Sequence, residues 1–476
     1  MPFNSLNFIL FFSLFALFYF MVNERYRRVF VALIGSYVFY LYAGIASLLY
    51  LFIITLITYI AVRKLRFDSV RKPILYVSIL CIVIILISSK YWKETGLYFL
   101  GKNHTTFFEG VSFLFPIGIS FYALQSISLI VEVATKRYTE PLTFSKIALF
   151  TSFFPQSLAG PIHRPQELLP QFFTPKRFDA EAIVIGLKTL LFGFFLKLIV
   201  ADKIALVISP VFHKWIEADG LSLIIASLLY SLQIYFDFWG YSLIAIGLGR
   251  ILGYQLKINF NHPYSAVTFK EFWHRWHISL SQWMRDYIYI PLGGRKKGYL
   301  YFATGILVTF LVSGIWHGIS YNFFLWGGLH ALLYLLEDYI FKIKSRLKIL
   351  RLPNSIFILA VKKVIFFLII SFTWLVFRTE NLNDLNGILA KIFSKIYEWS
   401  PSISQIHYLT GVNLIYVLIA VLTFAVSNMF FFERIINITP TQRWQRITDS
   451  TFTCFCLISI IFLGDIGGQE FLYFKF

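Results

Sequence analysis

Long apolar runs dominate this sequence, and short charged stretches separate them. A helix that crosses a membrane needs about 20 predominantly apolar residues. The run 29–62 would be about 50 Å long as one helix, too long for a ~30 Å hydrocarbon core. We therefore expect it to fold back near Ala43 and Gly44. The predicted spans are 7–23, two halves of 29–62, 73–89, 112–133, 182–200, 221–249, 298–316, 320–336, 364–377, 413–432 and 451–463.

Two stretches depart from this pattern. Residues 148–175 are rich in proline and polar groups, so they do not read as a clean helix. Irregular backbone at membrane depth is tolerated only where protein buries it or where it lines a watery cavity. This stretch is expected to lie at the interface or in a cavity wall. The mixed segment 90–110 is expected to be interfacial.

Composition places the chain in one broad class. Of its 476 residues, 58% are hydrophobic, 20% aromatic and 14% charged, whereas a soluble domain is about one quarter charged. The sequence predicts an all-α polytopic membrane protein with about eleven transmembrane helices, within two either way, plus re-entrant or interfacial helices. It predicts one membrane-embedded domain over 1–476, with the core motifs in 112–378 and C-terminal helices in 405–476.

The net charge of +19 fits the same class. Lysine and arginine in short loops mark the cytoplasmic side of a membrane, which predicts that 63–72, Arg295–Lys297 and 342–351 face the cytoplasm. The sequence has no tail rich in basic and aromatic residues, so nothing in it indicates nucleic-acid binding. The first apolar run has no basic segment before it and no small-residue cleavage site, so it reads as a retained helix. The cysteines Cys81, Cys454 and Cys456 lie in apolar segments and suggest neither disulfides nor zinc binding.

Costly polar groups are densest in 264–317. An ionisable side chain inside a membrane segment is a functional-site hypothesis by default. His317 follows a long uncharged run and lies between Trp316 and Gly318, a small residue that would leave room for a substrate. A neutral imidazole can take a proton from a hydroxyl and return it. A purely structural role also explains this residue: His317 could hydrogen-bond across helices, or lie at the headgroup level beside Trp316.

A tryptophan-rich segment, 271–286, opens this region. Trp273, Trp276, Leu280 and Trp283 recur at helical spacing and predict one aromatic face on a short interfacial helix. The tryptophans also fit an interfacial belt. Arg285 and Asp286 fit either a tunnel wall or, together with Arg275, a buried ion-pair set that orients the helix. His274 and His277 alone do not define a metal site, and no metal is predicted.

Two further charges lie in apolar surroundings. Asp237 needs a basic partner, such as Arg250 or an arginine of the tryptophan-rich segment, and could be purely structural. Arg164 could line the same cavity or be an ordinary interfacial arginine. Nucleotide-binding loops, GxSxG elbows and HExxH motifs are absent from the sequence. It also shows no repeats or paired broken helices of the kind typical of transporters.

Seven motifs together resemble the membrane-bound O-acyltransferases, in the branch of bacterial alginate and peptidoglycan O-acetyltransferases. They extend over most of the chain, and their order and spacing make the resemblance specific. They are FNSLNF (3–8), FPIGISFYALQSIS (115–128), FFPQSLAGPIHRP (153–165), YFDFWGYSLIAIGLGRILGYQLKINFNHPY (235–264), EFWHRWHISLSQWMRDYIYIPLGG (271–294), GIWHG (314–318) and FTWLVFR (372–378).

The resemblance implies a ring of helices around a central tunnel and acetyl transfer to a polysaccharide hydroxyl. It implies that His317 of the W-H-G motif is catalytic and that His277 of the R-W-H motif lines the same tunnel. The departures are small: His274 stands where Arg or Asn is more usual, and Trp239 where Ser is common. Neither replaces a catalytic group.

A mechanism follows as a hypothesis. Acetyl-CoA, or an acyl carrier, would dock at the cytoplasmic mouth, where Arg295, Lys296 and Lys297 attract its phosphates. His317 would act as general base, while His277 positions or polarises the acyl group. The expected partners are this donor, membrane lipids, and a surface polysaccharide or an extracytoplasmic acetyltransferase. The expected location is the bacterial cytoplasmic (inner) membrane.

Three alternatives remain at this point. One is the transfer of D-alanine or another acyl group to teichoic acid. Another is a proton-coupled transporter or flippase that uses His317, His277 and Asp237 as a relay. A membrane scaffold without catalysis would leave the intramembrane charges unexplained.

Overall fold

A computed structural model describes residues 2–22, 25–67, 71–100, 116–158, 160–174, 176, 178–318, 320–346, 355–394, 415–428 and 443–465. Every regular element within these ranges is helical. The chain divides into two compact units, which are described separately. The first unit comprises 1–190 and 244–257, and the second unit comprises 191–243 and 258–476.

The first unit begins with long helices and continues with short ones. Its helices are α1 (Leu6–Met21), α2 (Arg25–Tyr42), α3 (Ile45–Phe67), α4 (Arg71–Leu100), α5 (Ile119–Ala134), α6 (Phe144–Ser152), α7 (Phe154–Ser157) and α8 (Pro165–Phe173). Ser5 caps α1 by accepting a hydrogen bond from the Phe8 amide. Thr55 of α3 and Thr151 of α6 hydrogen-bond at 2.9 Å, which satisfies two buried hydroxyls where lipid offers no partner.

Two helices belong partly to each unit. They are α9 (Ala180–Phe194), which continues into a π-helical turn at Phe195–Ala201, and α11 (Gly220–Ile251). The second unit also contains α10 (Asp202–His213), α12 (Phe269–Arg275), α13 (Ile278–Met284), α14 (Tyr299–His317), α15 (Tyr321–Arg346), α16 (Ile356–Arg378), α17 (Leu382–Ser394), α18 (Ile415–Asn428) and α19 (Arg443–Leu463).

The predicted fold-back near Ala43 and Gly44 is confirmed. Helix α2 ends at Tyr42 and α3 begins at Ile45. Gly44 has a φ of 116°, a conformation open to glycine but strained for other residues. The proline-rich stretch 148–175 is also broken as expected, into the end of α6 and the short helices α7 and α8.

The prediction of a single helix over the tryptophan-rich segment is wrong. Helix α12 ends at Arg275 and α13 begins at Ile278, so Trp276 and His277 form a sharp turn between two seven-residue helices. Spacing of three and four continues through this turn, and periodicity therefore could not reveal it.

In the part of the chain that the structure describes, fewer helices than the eleven expected are both long and apolar enough to cross a membrane. Among the described residues, six helices are long and apolar enough to cross a membrane. Four shorter apolar helices of 10–17 residues accompany them, at Leu6–Met21, Arg28–Tyr42, Ile119–Ala134 and Asp449–Leu463. The predicted total of about eleven is therefore not confirmed. Parts of the predicted segments, at 68–70, 101–115, 347–351, 405–414, 429–432 and 466–476, lie outside the described residues.

Candidate active site

Two buried histidines of the second unit lie close to one tryptophan. His317 is the last residue of α14, and His277 is in the turn between α12 and α13. The Trp316 ring centroid lies 4.8 Å from the His317 ring and 6.4 Å from the His277 ring. His317 is 4% exposed and His277 is 1% exposed. The structure thus brings together the three residues that the two motifs singled out.

Aromatic rings surround His317. The Phe377 ring of α16 lies 5.2 Å away, and the Trp326 ring of α15 lies 5.4 Å away, both nearly perpendicular to the imidazole. The Phe323 ring lies at 6.4 Å. Such walls exclude water, and electrostatic interactions are stronger in a water-poor site than in bulk solvent.

Gly318 has a different role from the one predicted. A Cβ added at this position would clash with the ring of Phe323. The space beside Gly318 is thus filled by a side chain of α15, and the glycine serves close packing. It does not leave room for a substrate, as the sequence had suggested.

His277 combines an unusual backbone with deep burial. Its φ of 41° and ψ of 55° place a non-glycine residue in the left-handed region. The Phe238 ring of α11 packs edge-on against the imidazole with centroids 4.6 Å apart. Burial lowers the pKa of His277 to about 3, so this imidazole is neutral at physiological pH. A neutral imidazole can donate one hydrogen bond and accept another.

Asp237 has a partner that sequence analysis did not name. Lys197, in the π-helical turn, places its Nζ 2.7 Å from Asp237 Oδ1 and 2.7 Å from Asp202 Oδ1. Gly240 permits this close approach, since a Cβ there would lie 2.8 Å from the Gly193 carbonyl oxygen. Arg250, the suggested partner, is on the same helix as Asp237 but 13 residues further, about 20 Å along its axis. Lys197 is itself a charge inside a predicted span, and that signal could have identified it.

The charged residues of the tryptophan-rich segment pair locally. Arg285 Nε donates to Asp286 Oδ1 at 2.8 Å within a second π-helical turn, Arg285–Tyr289. The Arg285 side chain is 55% exposed, which departs from the buried pair considered from the sequence. Arg275 pairs with Glu271 at 2.9 Å across one turn of α12.

The basic turn at 294–297 is only partly free to bind a ligand. Arg295 forms an ion pair with Asp338 of α15 and stacks over the Phe302 ring at 4.1 Å. Burial opposes ionisation of Asp338, but the hydrogen bonds from Arg295 and Lys342 outweigh it and lower the pKa of this carboxyl. Lys296 and Lys297 are exposed, so they are the members of the predicted patch that are available to an anion.

Arg164 belongs to the first unit. It precedes α8, and its backbone amide donates to Glu167 Oε2 at 3.0 Å. Glu167 in turn pairs with Lys257. The neighbouring His163 is buried, and its ring Nε2 accepts a hydrogen bond from the backbone amide of Lys257. The structure thus gives Arg164 a place at a helix start, and a tunnel role for it stays a prediction.

Comparison with known proteins agrees with the motifs. The sequence profile of the membrane-bound O-acyltransferase family matches residues 74–377. A probable alginate O-acetylase AlgI of Pseudomonas putida is 33% identical, over 100% of both chains. A peptidoglycan O-acetyltransferase of Helicobacter pylori is 30% identical over 80% of this chain and 78% of that protein.

A more limited similarity extends to a third kind of protein. A teichoic acid D-alanyltransferase of Bacillus subtilis is 31% identical, over 47% of this chain and 58% of its own length. The alginate and peptidoglycan relatives match much more of the chain, including segments that the D-alanyltransferase match does not cover.

Proposed function

Because the chain belongs to the membrane-bound O-acyltransferase family, we propose that it moves an acetyl group from a cytoplasmic donor across the membrane to a polysaccharide hydroxyl. The chain is an acyltransferase and a multi-pass membrane protein. The proposed acceptor is a cell-surface polysaccharide of the alginate or peptidoglycan type, directly or through an extracytoplasmic partner transferase. The relatives that match most of the chain carry those names.

One observation carries the assignment of the site. The imidazoles of His277 and His317 both lie within 6.4 Å of the Trp316 ring, centroid to centroid, inside a buried aromatic cluster of the second unit. Two motifs that lie 40 residues apart in sequence therefore meet in one water-poor place. A reaction that moves an acyl group onto a hydroxyl needs such a place, because water would compete as the acceptor.

The proposed reaction uses His317 as general base. Its neutral imidazole takes the proton from the acceptor hydroxyl while that oxygen forms a bond to the acetyl carbonyl carbon. The bond from that carbon to the donor's sulfur breaks, and the proton passes to the leaving thiolate. The products are an O-acetyl ester and a free thiol, with no net gain or loss of protons.

His277 is proposed to act as a hydrogen-bond donor. Because burial keeps its imidazole neutral at physiological pH, one ring nitrogen carries a proton that can be donated to the acetyl carbonyl oxygen. Negative charge develops on this oxygen during transfer, and a donor in a dry site stabilises it strongly. The motif resemblance supports this role for His277.

The proposed donor is acetyl-CoA, or an acyl carrier of similar chemistry. The exposed Lys296 and Lys297 would attract its phosphates to the cytoplasmic mouth. The proposal includes a location in the bacterial cytoplasmic membrane, where a cytoplasmic donor and a surface acceptor meet from opposite sides.

The decisive experiment is acetyl transfer by the purified protein with His317 replaced. Wild type in detergent, supplied with radiolabelled acetyl-CoA and alginate or peptidoglycan oligosaccharides, is expected to label the acceptor. His317→Ala should reduce kcat roughly 100-fold or more, the usual scale for losing a general base. His274→Ala is the matched control, since this exposed histidine bonds only the Lys270 carbonyl among the described contacts.

The outcomes separate the competing functions. A folded His317→Ala protein that transfers acetyl at the wild-type rate contradicts the role of His317. A wild-type protein that labels no acceptor, yet moves an acyl donor across vesicles, supports the transporter. Labelling by D-alanine in preference to acetyl would favour the teichoic acid reaction.

A further inference from the structure

The turn that carries His277 is strained. Left-handed backbone is unfavourable for a non-glycine residue because its Cβ crowds the following carbonyl oxygen, whereas glycine would adopt it freely. Yet this position holds a histidine that is 1% exposed. Strain of this kind persists only where the surrounding structure over-determines it, and it concentrates at functional sites. The structure should therefore contain a device that holds the turn.

Asn259 supplies such a device. Its backbone carbonyl accepts a hydrogen bond from the Ile278 amide at 2.9 Å, directly after the strained residue. Its side-chain Oδ1 accepts from the Ser279 hydroxyl at 2.6 Å and from the Ser279 amide at 3.4 Å. Asn259 is 1% exposed, so water does not compete for these bonds. One residue thus holds the start of α13 through both its backbone and its side chain.

The same segment holds the other side of the turn. The Asn261 amide donates to the Arg275 carbonyl at 2.9 Å, before Trp276. Between the two asparagines, the Phe260 ring packs 5.0 Å from Trp276 and 5.0 Å from Phe238. Phe238 is the residue whose ring meets the His277 imidazole edge-on. The segment 259–261 therefore fixes both the backbone and one aromatic wall of His277.

We propose that Asn259 is a positioning residue that sets the orientation of the His277 imidazole through its hydrogen bonds to Ile278 and Ser279. The inference rests on the proposed function, because it assigns Asn259 an effect on acyl transfer through His277. Removing the side-chain oxygen deprives Ser279 of its acceptor and frees the turn to relax. The imidazole then moves away from the acyl group without losing its chemistry.

The first test separates positioning from binding. Asn259→Ala is expected to lower kcat roughly 10-fold to 100-fold, as displacement by about 1 Å can do, with the KM for acetyl-CoA within about twofold of wild type. Asn261→Ala is the matched control, because Asn261 contacts the turn only through backbone atoms in the described hydrogen bonds. It should retain wild-type kcat. If both variants lose kcat equally, the inference fails.

The second test is a double-mutant cycle with His277→Asn, since asparagine also tolerates left-handed backbone. If Asn259 acts through His277, Asn259→Ala should change kcat by less than about twofold in the His277→Asn background. Independent, multiplicative losses would overturn the proposal. Ser279→Ala, which removes only the hydroxyl, should show the same dependence with a smaller loss and replaces Asn259→Ala if that variant does not fold. A wild-type protein without transfer activity would instead refute the proposed function.

Discussion

At the scale of single residues, His163 links the stability of the first unit to pH. Its Nδ1 lies 2.9 Å from the Pro161 carbonyl and 3.1 Å from Gln156 Oε1, while its Nε2 accepts a hydrogen bond from the Lys257 amide at 3.1 Å. This pattern defines a neutral imidazole protonated on Nδ1. A second proton on Nε2 would oppose the Lys257 N–H. Burial lowers the pKa of His163 to about 4.

The sign of the pH effect follows from this lowered pKa. Above pH ~6.5 the imidazole is neutral in both the folded and unfolded states, and stability is unaffected. Between pH ~6.5 and about 4 the unfolded chain binds a proton that the folded chain does not, so stability falls as pH falls. The loss should reach about 3 kcal/mol below pH 4. Thermal unfolding of the purified protein at pH 7.5 and 4.5 measures it.

His163→Gln provides the comparison for this prediction. The variant should be less stable than wild type at pH 7.5 because it loses the buried imidazole and its hydrogen bonds. Its melting temperature should then fall less than that of wild type on going to pH 4.5. An equal fall in both proteins would show that another group is responsible.

The residues of the candidate site differ in how far sequence could reveal them. His317 and His277 stood out because they belong to motifs, and the structure brings their side chains to the same tryptophan. The packing role of Gly318 could not be predicted, because Phe323 reaches it only after α15 folds back on α14. Likewise, Lys197 meets Asp237 only through the contact between two helices.

At the scale of elements, glycines determine how closely α14 and α15 pack. A Cβ at Gly327 would clash with the Phe310 carbonyl of α14, whereas one at Gly328 would meet only Leu311 at an ordinary 3.9 Å. Small residues let membrane helices approach in this way. We expect Gly327→Ala to destabilise the protein by roughly 1–3 kcal/mol and Gly328→Ala to have little effect. Thermal unfolding in detergent compares them, and equal melting temperatures would contradict this packing.

The basic turn between the tryptophan-rich helices and α14 is predicted to attract the phosphates of acetyl-CoA. Because Arg295 is engaged with Asp338, Lys296→Ala combined with Lys297→Ala removes the available charge without breaking that pair. The KM for acetyl-CoA should rise several-fold at low salt, with kcat unchanged, and the difference should shrink at high ionic strength. Lys344→Ala combined with Lys362→Ala gives a control of equal charge, since both lysines are exposed and lie outside the Arg295–Asp338 pair. An unchanged KM in the first variant would remove this turn from donor binding.

Element boundaries were predictable where a simple physical limit applied. The fold-back at 43–44 follows from the thickness of a membrane, and the broken stretch after 148 follows from proline chemistry. The turn at His277 has no such signal, since the hydrogen bonds beside its strained backbone run from Ile278 and Ser279 to Asn259, a residue 18 positions before His277.

At the scale of the whole molecule, composition was sufficient to predict a polytopic helical protein. The hydrophobic share of 58% leaves too few polar residues to cover a soluble surface of this size. It was not sufficient to count the spans, because helices such as α1 and α5 are apolar but shorter than a bilayer crossing usually requires. Neither composition nor motif identifies the polysaccharide.

Orientation in the membrane can still be predicted, and it bears directly on the proposed reaction. Helix α14 has 19 residues, about 28 Å, which matches a ~30 Å hydrocarbon core. The basic turn at its start should be cytoplasmic, which places His317 at the opposite end, where a surface acceptor would arrive.

In a variant with Cys81, Cys454 and Cys456 replaced by serine, Lys296→Cys should react with a membrane-impermeant maleimide only in inverted vesicles. Tyr321→Cys, at a position 79% exposed, should react only in right-side-out vesicles. Reaction of both cysteines from the same side would exclude this orientation, and with it an acceptor that approaches His317 from outside the cell.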